Sequence, residues 1–245
     1  MPTITRHLLL FSLLLPLTSS AHDEKSSPPA DGQWHSNLDL GLTIAKGNTD
    51  SLMVAAGIQT QKKQGPNALF GSLSYSYGEE DENKTTDETL AKATWKHQYA
   101  GENFYGLRFD GRRDTFAKID YRMSLTGSLG HYLLNSDTHL LSLEFGLGGT
   151  FEEKDSTEDN YAHALVAQHF EYLISQDTKF YQNFSWFPRL DDGQDYKIIF
   201  EAGLETDLTD TIALKVFLSD QYENAPAEDK EKNDIKLITG IAYKF

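Results

Sequence analysis

The sequence predicts an all-β, antiparallel, up-and-down transmembrane β-barrel of about twelve strands, and three observations carry that expectation. Apolar residues recur with a period of two from Trp34 to the C-terminus, the spacing at which neighbouring side chains point to opposite faces of a strand. The apolar columns contain no Lys, Arg, Asp or Glu, whereas the opposite columns hold nearly all the strand charges. The chain also opens in the manner of an exported protein.

Residues 1–21 read as a secretory signal peptide. A basic stretch ending at Arg6 precedes Leu8-Leu9-Leu10-Phe11-Ser12-Leu13-Leu14-Leu15, and the small-residue tail Thr18-Ser19-Ser20-Ala21 follows. The apolar run is shorter than the roughly 20 residues a spanning helix needs. Charged or polar residues interrupt every later apolar run. Residues 22–32 contain Ser26-Ser27-Pro28-Pro29 and read as a flexible periplasmic leader, so the barrel occupies 33–245. Cysteine is absent, which excludes disulfides and thiolate metal sites. The formal charge of −15 argues against a nucleic-acid partner. A mean hydropathy of −0.50 is compatible with a barrel, whose loops and lumen are polar.

The columns follow in order. Trp34 to Ile44, Leu52 to Ile58, Leu69 to Tyr77, Ala91 to Trp95, Tyr105 to Phe109 and Tyr121 to Leu129 make the first half. Leu141 to Leu147, Ala162 to Phe170, Phe180 to Trp186, Tyr196 to Leu204, Ile212 to Leu218 and Ile235 to Phe245 make the second. Tight turns are expected at Gly65-Pro66-Asn67, Gly101-Glu102-Asn103, Asn135 to Thr138, Ser175 to Thr178 and Thr209-Asp210. The alternate links read as longer acidic loops: Glu79 to Asp87, Glu152 to Asp159, Leu190 to Gln194 and Glu223 to Asn233. Only Lys46 to Asp50 is short on that side. Short turns at one end and long loops at the other are the habit of outer-membrane barrels.

A Lys or Arg in mid-membrane on the lipid face costs about 2–4 kcal/mol, so the uncharged columns face lipid. The lumen then receives Asp39, Lys92, Lys96, Arg108, Asp110, Arg112, Arg122, Glu144, Glu171, Lys197, Glu201, Glu205 and Lys215. Aromatics gather toward both strand ends, where rings sit at the headgroup level. Trp34, Trp95, Tyr99, Tyr105, Tyr172, Phe180 and Tyr243 mark the short-turn side. Tyr75, Tyr77, Tyr121, Phe151, Tyr161, Trp186 and Tyr196 mark the other. A soluble lipocalin-like barrel, the competing reading, explains neither feature.

Gly41-Leu42-Thr43-Ile44-Ala45-Lys46-Gly47-Asn48-Thr49-Asp50-Ser51 resembles the opening hairpin of the YdiY-like salt-induced outer-membrane proteins. Ser74 to Gly78, Phe116 to Arg122 and Ala242 to Phe245 extend that resemblance over residues 33–245. It implies a bacterial outer-membrane barrel with no established molecular activity. Gly240 with Tyr243-Lys244-Phe245 also resembles the C-terminal signal of the barrel-assembly machinery, departing from it at Ile238. Lipid, lipopolysaccharide and that machinery are therefore the expected partners, with small polar solutes added if the lumen conducts.

No catalytic, cofactor or metal site emerges. His35-Ser36-Asn37 evokes barrel phospholipases, but adjacent residues point to opposite faces and lie at the periplasmic end. His163, His169 and Glu171 share one inward face without an identifiable fourth ligand. Glu79 to Glu82 and Glu152 to Asp155 lack the ligand spacing of a calcium loop and read as solvated surface. The candidate functional element is the lumen charge network. Lys92, Lys96, Arg108, Arg112 and Arg122 form a basic wall facing an acidic wall of Glu144, Glu171, Glu201 and Glu205. Two outcomes are open: a structural barrel closed by salt bridges across the lumen, or a narrow porin-like diffusion channel. The signal-peptide reading predicts that the mature protein begins at His22. Intact mass of membrane-extracted protein checks this; a retained Met1 would contradict it.

Overall fold

The computed structural model describes residues 31–45, 51–226 and 232–244. The expected signal peptide, most of the leader, the Lys46 to Asp50 link and Phe245 lie outside the described residues. Twelve strands are described: β1 His35–Ala45, β2 Ser51–Gln64, β3 Asn67–Glu80, β4 Asn83–Ala100, β5 Asn103–Asp114, β6 Ile119–Asn135, β7 His139–Lys154, β8 Thr157–Leu173, β9 Thr178–Pro188, β10 Tyr196–Asp207, β11 Ile212–Glu223 and β12 Asn233–Lys244. Each pairs antiparallel with its sequence neighbours, and β1 pairs with β12 to close the barrel. Closure is what a bilayer demands, because an open sheet edge would leave backbone groups unpaired in hydrocarbon. The seam is short: Asn37, Leu38 and Asp39 register with Lys244, Tyr243 and Ala242.

The faces fall as the alternation requires. Leu40 and Leu147 are 63% and 65% exposed on the outer wall, whereas Glu201 is 0% exposed in the lumen. Trp34, Tyr99, Tyr172 and Tyr243 stand exposed near the short-turn end, and Tyr75, Phe151 and Trp186 near the other. One aromatic departs from the expected belt. Tyr161 faces the lumen, with the Arg189 guanidinium 4.2 Å from its ring centre.

Two expected loops are not loops. β3 and β4 are joined by Asp81-Glu82, and β7 and β8 by Asp155-Ser156, with all four residues at positive φ (47°, 63°, 51° and 61°). That is the left-handed pair a two-residue hairpin requires. The acidic residues on either side continue the ladder, Glu79 opposite Lys84 and Glu152 opposite Asp159. These strands consequently reach 14 to 18 residues, well past the 9 to 11 or so that cross a bilayer. Their ends stand above the membrane as a wall. The other two expected loops hold: β9 and β10 are joined by residues 189–195, and the β11–β12 connection is described at residues 224–226 and 232.

With no native cysteine, single Cys variants give a clean test of orientation. A maleimide confined to the acyl-chain phase should label Leu125→Cys and Leu147→Cys in reconstituted protein and spare Ser142→Cys. The reverse pattern would overturn the assignment of faces.

Candidate functional site

The lumen divides along the barrel axis into a packed half and a hollow half. The packed half lies toward the short turns. Inward positions there carry Phe70 from β3, Phe104 from β5, Tyr181 from β9 and Phe217 from β11, all buried. Glycines make room for two of them. A Cβ on Gly130 would strike the Phe104 ring, and one on Gly203 would strike Phe217. Tyr181 and Phe217 touch, and the Phe104 and Tyr132 rings sit 4.9 Å apart. The alternation reads these inward columns as polar, and the structure puts aromatic bulk in them.

Charges fill the gaps between the rings. Lys96 Nζ lies 4.8 Å from the centre of the Phe104 ring and 3.3 Å from Glu144. Glu171 receives Lys179 at 3.3 Å and has His169 Nε2 at the same distance. Lys215 approaches Asp39 at 3.9 Å, and Lys244 lies 3.8 Å from Glu205. Glu201 is wholly enclosed, registered with Asn183 on β9 and Ser219 on β11.

The hollow half opens toward the hairpins and connections of the other end. A cavity of about 120 Å³ reaches from mid-height to the rim, where Asp195 and Ala225 line it. A guanidinium belt crosses it. Arg122 on β6 meets Glu152 at 2.5 Å and, on the far side, Glu223 of β11 at 2.8 Å. Arg112 on β5 forms an ion pair with Glu88 at 2.9 Å, donates a hydrogen bond to Asp114 at 2.8 Å, and lies 3.6 Å from the same Glu223. Lys154 Nζ donates to the Ala225 carbonyl at 3.2 Å. Below the belt, Arg108 bonds Asp110 at 2.8 Å, and Lys92, registered with Asp110, also lines the cavity. At the rim, Arg189 binds Asp159 and Asp191. Those two carboxylates raise the Arg189 pKa, and Arg189 in turn holds the Asp191 carboxyl below the usual range. Burial pushes the neighbouring Asp195 carboxyl up.

The nine sequence-marked charges thus all face the lumen, but the basic wall and acidic wall do not form. Arg112 and Arg122 stand near the hairpin end, and Lys92 and Arg108 at mid-height. Lys96 joins Glu144, Glu171, Glu201 and Glu205 in the packed half. Residue order gives the strand but not the height, and height decides which charges meet. Missed altogether were Glu223, on which the belt converges, and the inward aromatics. Glu223 carried a signal: it continues the inward column of Lys215, Phe217 and Ser219.

The histidines are engaged structurally. His163 lies between Thr126 and Thr150, its ring nitrogens 2.8 and 3.0 Å from their hydroxyls. His169 Nδ1 is 2.5 Å from Asn183 Oδ1 while its other nitrogen faces Glu171, leaving neither free to activate a nucleophile. Among the described residues no group of three or more His, Asp or Glu is placed to hold a metal ion.

Solved structures share this architecture. A structure described as the NanC porin in a rhombohedral crystal form aligns with a TM-score of 0.52 at 7% identity, covering 86% of this chain and 96% of that one. The KdgM porin in complex with disordered oligogalacturonate aligns at 0.49 and 10% identity, covering 87% and 99%. The translocator domain of the autotransporter NalP from Neisseria meningitidis aligns at 0.46 and 13%, covering 86% and 87%. At 7% identity the first of these likenesses speaks to fold alone, and nothing is built on the other two. No curated protein matches the sequence. The family model described as "Protein of unknown function, DUF481" matches residues 38–245. Spanning the whole barrel, that match makes this outer-membrane β-barrel a member of the DUF481 family, which is the family of YdiY-like outer-membrane proteins.

Proposed function

We propose that this protein is a non-enzymatic structural barrel of the bacterial envelope whose lumen is sealed to solute flow. The observation that carries the reading is the packed half: four aromatic side chains and their interleaved ion pairs occupy the lumen from several strands at once. Barrels of about twelve strands lie between small ones filled by side chains and open porins of 16 or more, so side-chain volume decides the outcome. Here Phe104 and Phe217 stand over glycines of the neighbouring strands, Gly130 and Gly203, which lets their rings lie within the lumen.

A sealed barrel adds protein surface to the outer membrane without adding permeability. That property fits the envelope-stress role implied by the resemblance to salt-induced proteins. Export would follow the signal peptide, and insertion the barrel-assembly machinery. Lipid and lipopolysaccharide would be the standing neighbours. The competing reading, a narrow diffusion channel for small polar solutes, draws on the hollow half but requires the packed half to move.

Planar bilayers separate the two. Wild-type protein is expected to show no conductance steps above the lipid background. The double variant Phe104→Ala, Phe217→Ala should conduct while still migrating on unheated gels as a closed barrel. Steady wild-type steps would favour the channel and end the sealed reading.

A further inference from the structure

We propose that the hollow half of the lumen binds a small multivalent oxyanion, a phosphate or a compact polycarboxylate, on Lys197, Lys92 and Arg108. Among the described lining residues of the cavity, seven are Lys or Arg and four are Asp or Glu, in a chain of net charge −15. The surplus is not spread evenly. The arginines of the belt and rim are met by carboxylates from behind as well as from within: Glu88 and Asp114 for Arg112, Glu152 for Arg122, Asp159 and Asp191 for Arg189. Beneath them, Lys92 and Arg108 both reach the cavity beside Asp110.

Lys197 completes the set. It is the second residue of β10, registered with Phe187 on one side and Glu223 on the other. Glu223 is already bonded to Arg122. Lys197 forms no hydrogen bond or ion pair among the described residues, although its side chain is largely withdrawn from solvent and lines the cavity. A partly desolvated ammonium that must share the Glu223 carboxylate with Arg112 and Arg122 is costly, and a bound oxyanion lowers that cost. Neutral polar groups line the same space, namely the Ser124 and Thr150 hydroxyls, which bond each other, and the Gln221 amide.

Size and access agree with a small ligand. The cavity of about 120 Å³ is several times the ~10–15 Å³ that admits a single water, enough for phosphate or a short polycarboxylate. It extends to the rim at Asp195 and Ala225, so the ligand enters from the hairpin side. Low-dielectric walls focus the local field and limit screening, which lets the cup attract an anion despite the negative chain. The inference does not depend on whether the packed half is sealed.

Calorimetry on the intact refolded barrel in zwitterionic detergent tests it, titrating inorganic phosphate in one arm and citrate in the other, with sodium chloride as the control. Saturable heat with phosphate, citrate or both is expected, and the preferred arm tells the compact tetrahedral anion from the carboxylate. Lys197→Gln should weaken binding about tenfold, the worth of one charge-assisted hydrogen bond, and Lys197→Arg should largely restore it. Lys62→Gln, whose native amine lies near Trp34 at the short-turn end, should change nothing. No saturable heat with either anion in the tens of millimolar, or equal affinity in Lys197→Gln protein that keeps its gel shift, would overturn the proposal. A conducting wild type would refute the sealed reading and leave this one standing.

Discussion

Hydrocarbon offers the backbone no hydrogen-bonding partner, and that constraint orders the molecule. Every strand must be paired on both sides, so the sheet closes. Every side chain turned outward must be uncharged, so the charges of a protein that is 24% Asp, Glu, Lys and Arg are driven inward or beyond the membrane. The lumen then faces the opposite problem. Ionic groups within it must be hydrated, paired or packed against something polarisable.

The two halves solve that problem differently. Toward the short turns, Lys96, Glu171, Glu205 and Lys215 each lie near an opposite charge, with aromatic rings packed among them; Lys96 between Glu144 and the Phe104 ring is the pattern. Removing one member of such a buried pair leaves an uncompensated charge, at a typical cost of about 3–5 kcal/mol. Toward the hairpins, the same residue types hold a cavity open. Arg112 and Arg122 converge on Glu223, while Glu88, Asp114 and Glu152 hold them toward their own side of the lumen.

Much of this fold could be read from residue order, because a period of two and an uncharged column are strong local signals. The twelve strands, their antiparallel order and the lipid-facing residues follow from them directly. Glu79 to Asp87 and Glu152 to Asp159 misled because runs of acid resemble solvated loops. In fact Asp81-Glu82 and Asp155-Ser156 accept the left-handed conformation, and the flanking acids alternate along strands beyond the bilayer. The inward aromatics escaped for a different reason. Alternation assigns a face by majority, and Phe104 or Phe217 is a minority on a polar column whose meaning appears only beside the glycine across the ladder. The charge network was legible in membership and not in pairing. Strand tilt sets the height at which Arg122 arrives opposite Glu223, and they are 101 positions apart in the chain.

Wall height explains why the cavity sits where it does. β6, β7 and β8 run to 17, 16 and 17 residues, whereas β9 to β12 stop at 11 or 12. Beyond the membrane the barrel is therefore taller on one side, and inward residues of the tall wall have no strand facing them at the same level. Glu223, at the end of β11, reaches across from the low wall, and Arg112 of β5 and Arg122 of β6 meet it there. Below that crossing the aromatic filling has not begun. The space between is bounded by strands on all sides, lined by cations above and beside it, and open only past the rim. A void of that kind arises from unequal hairpins as much as from side-chain choice, so shortening β7 and β8 would unroof it without disturbing the packed half.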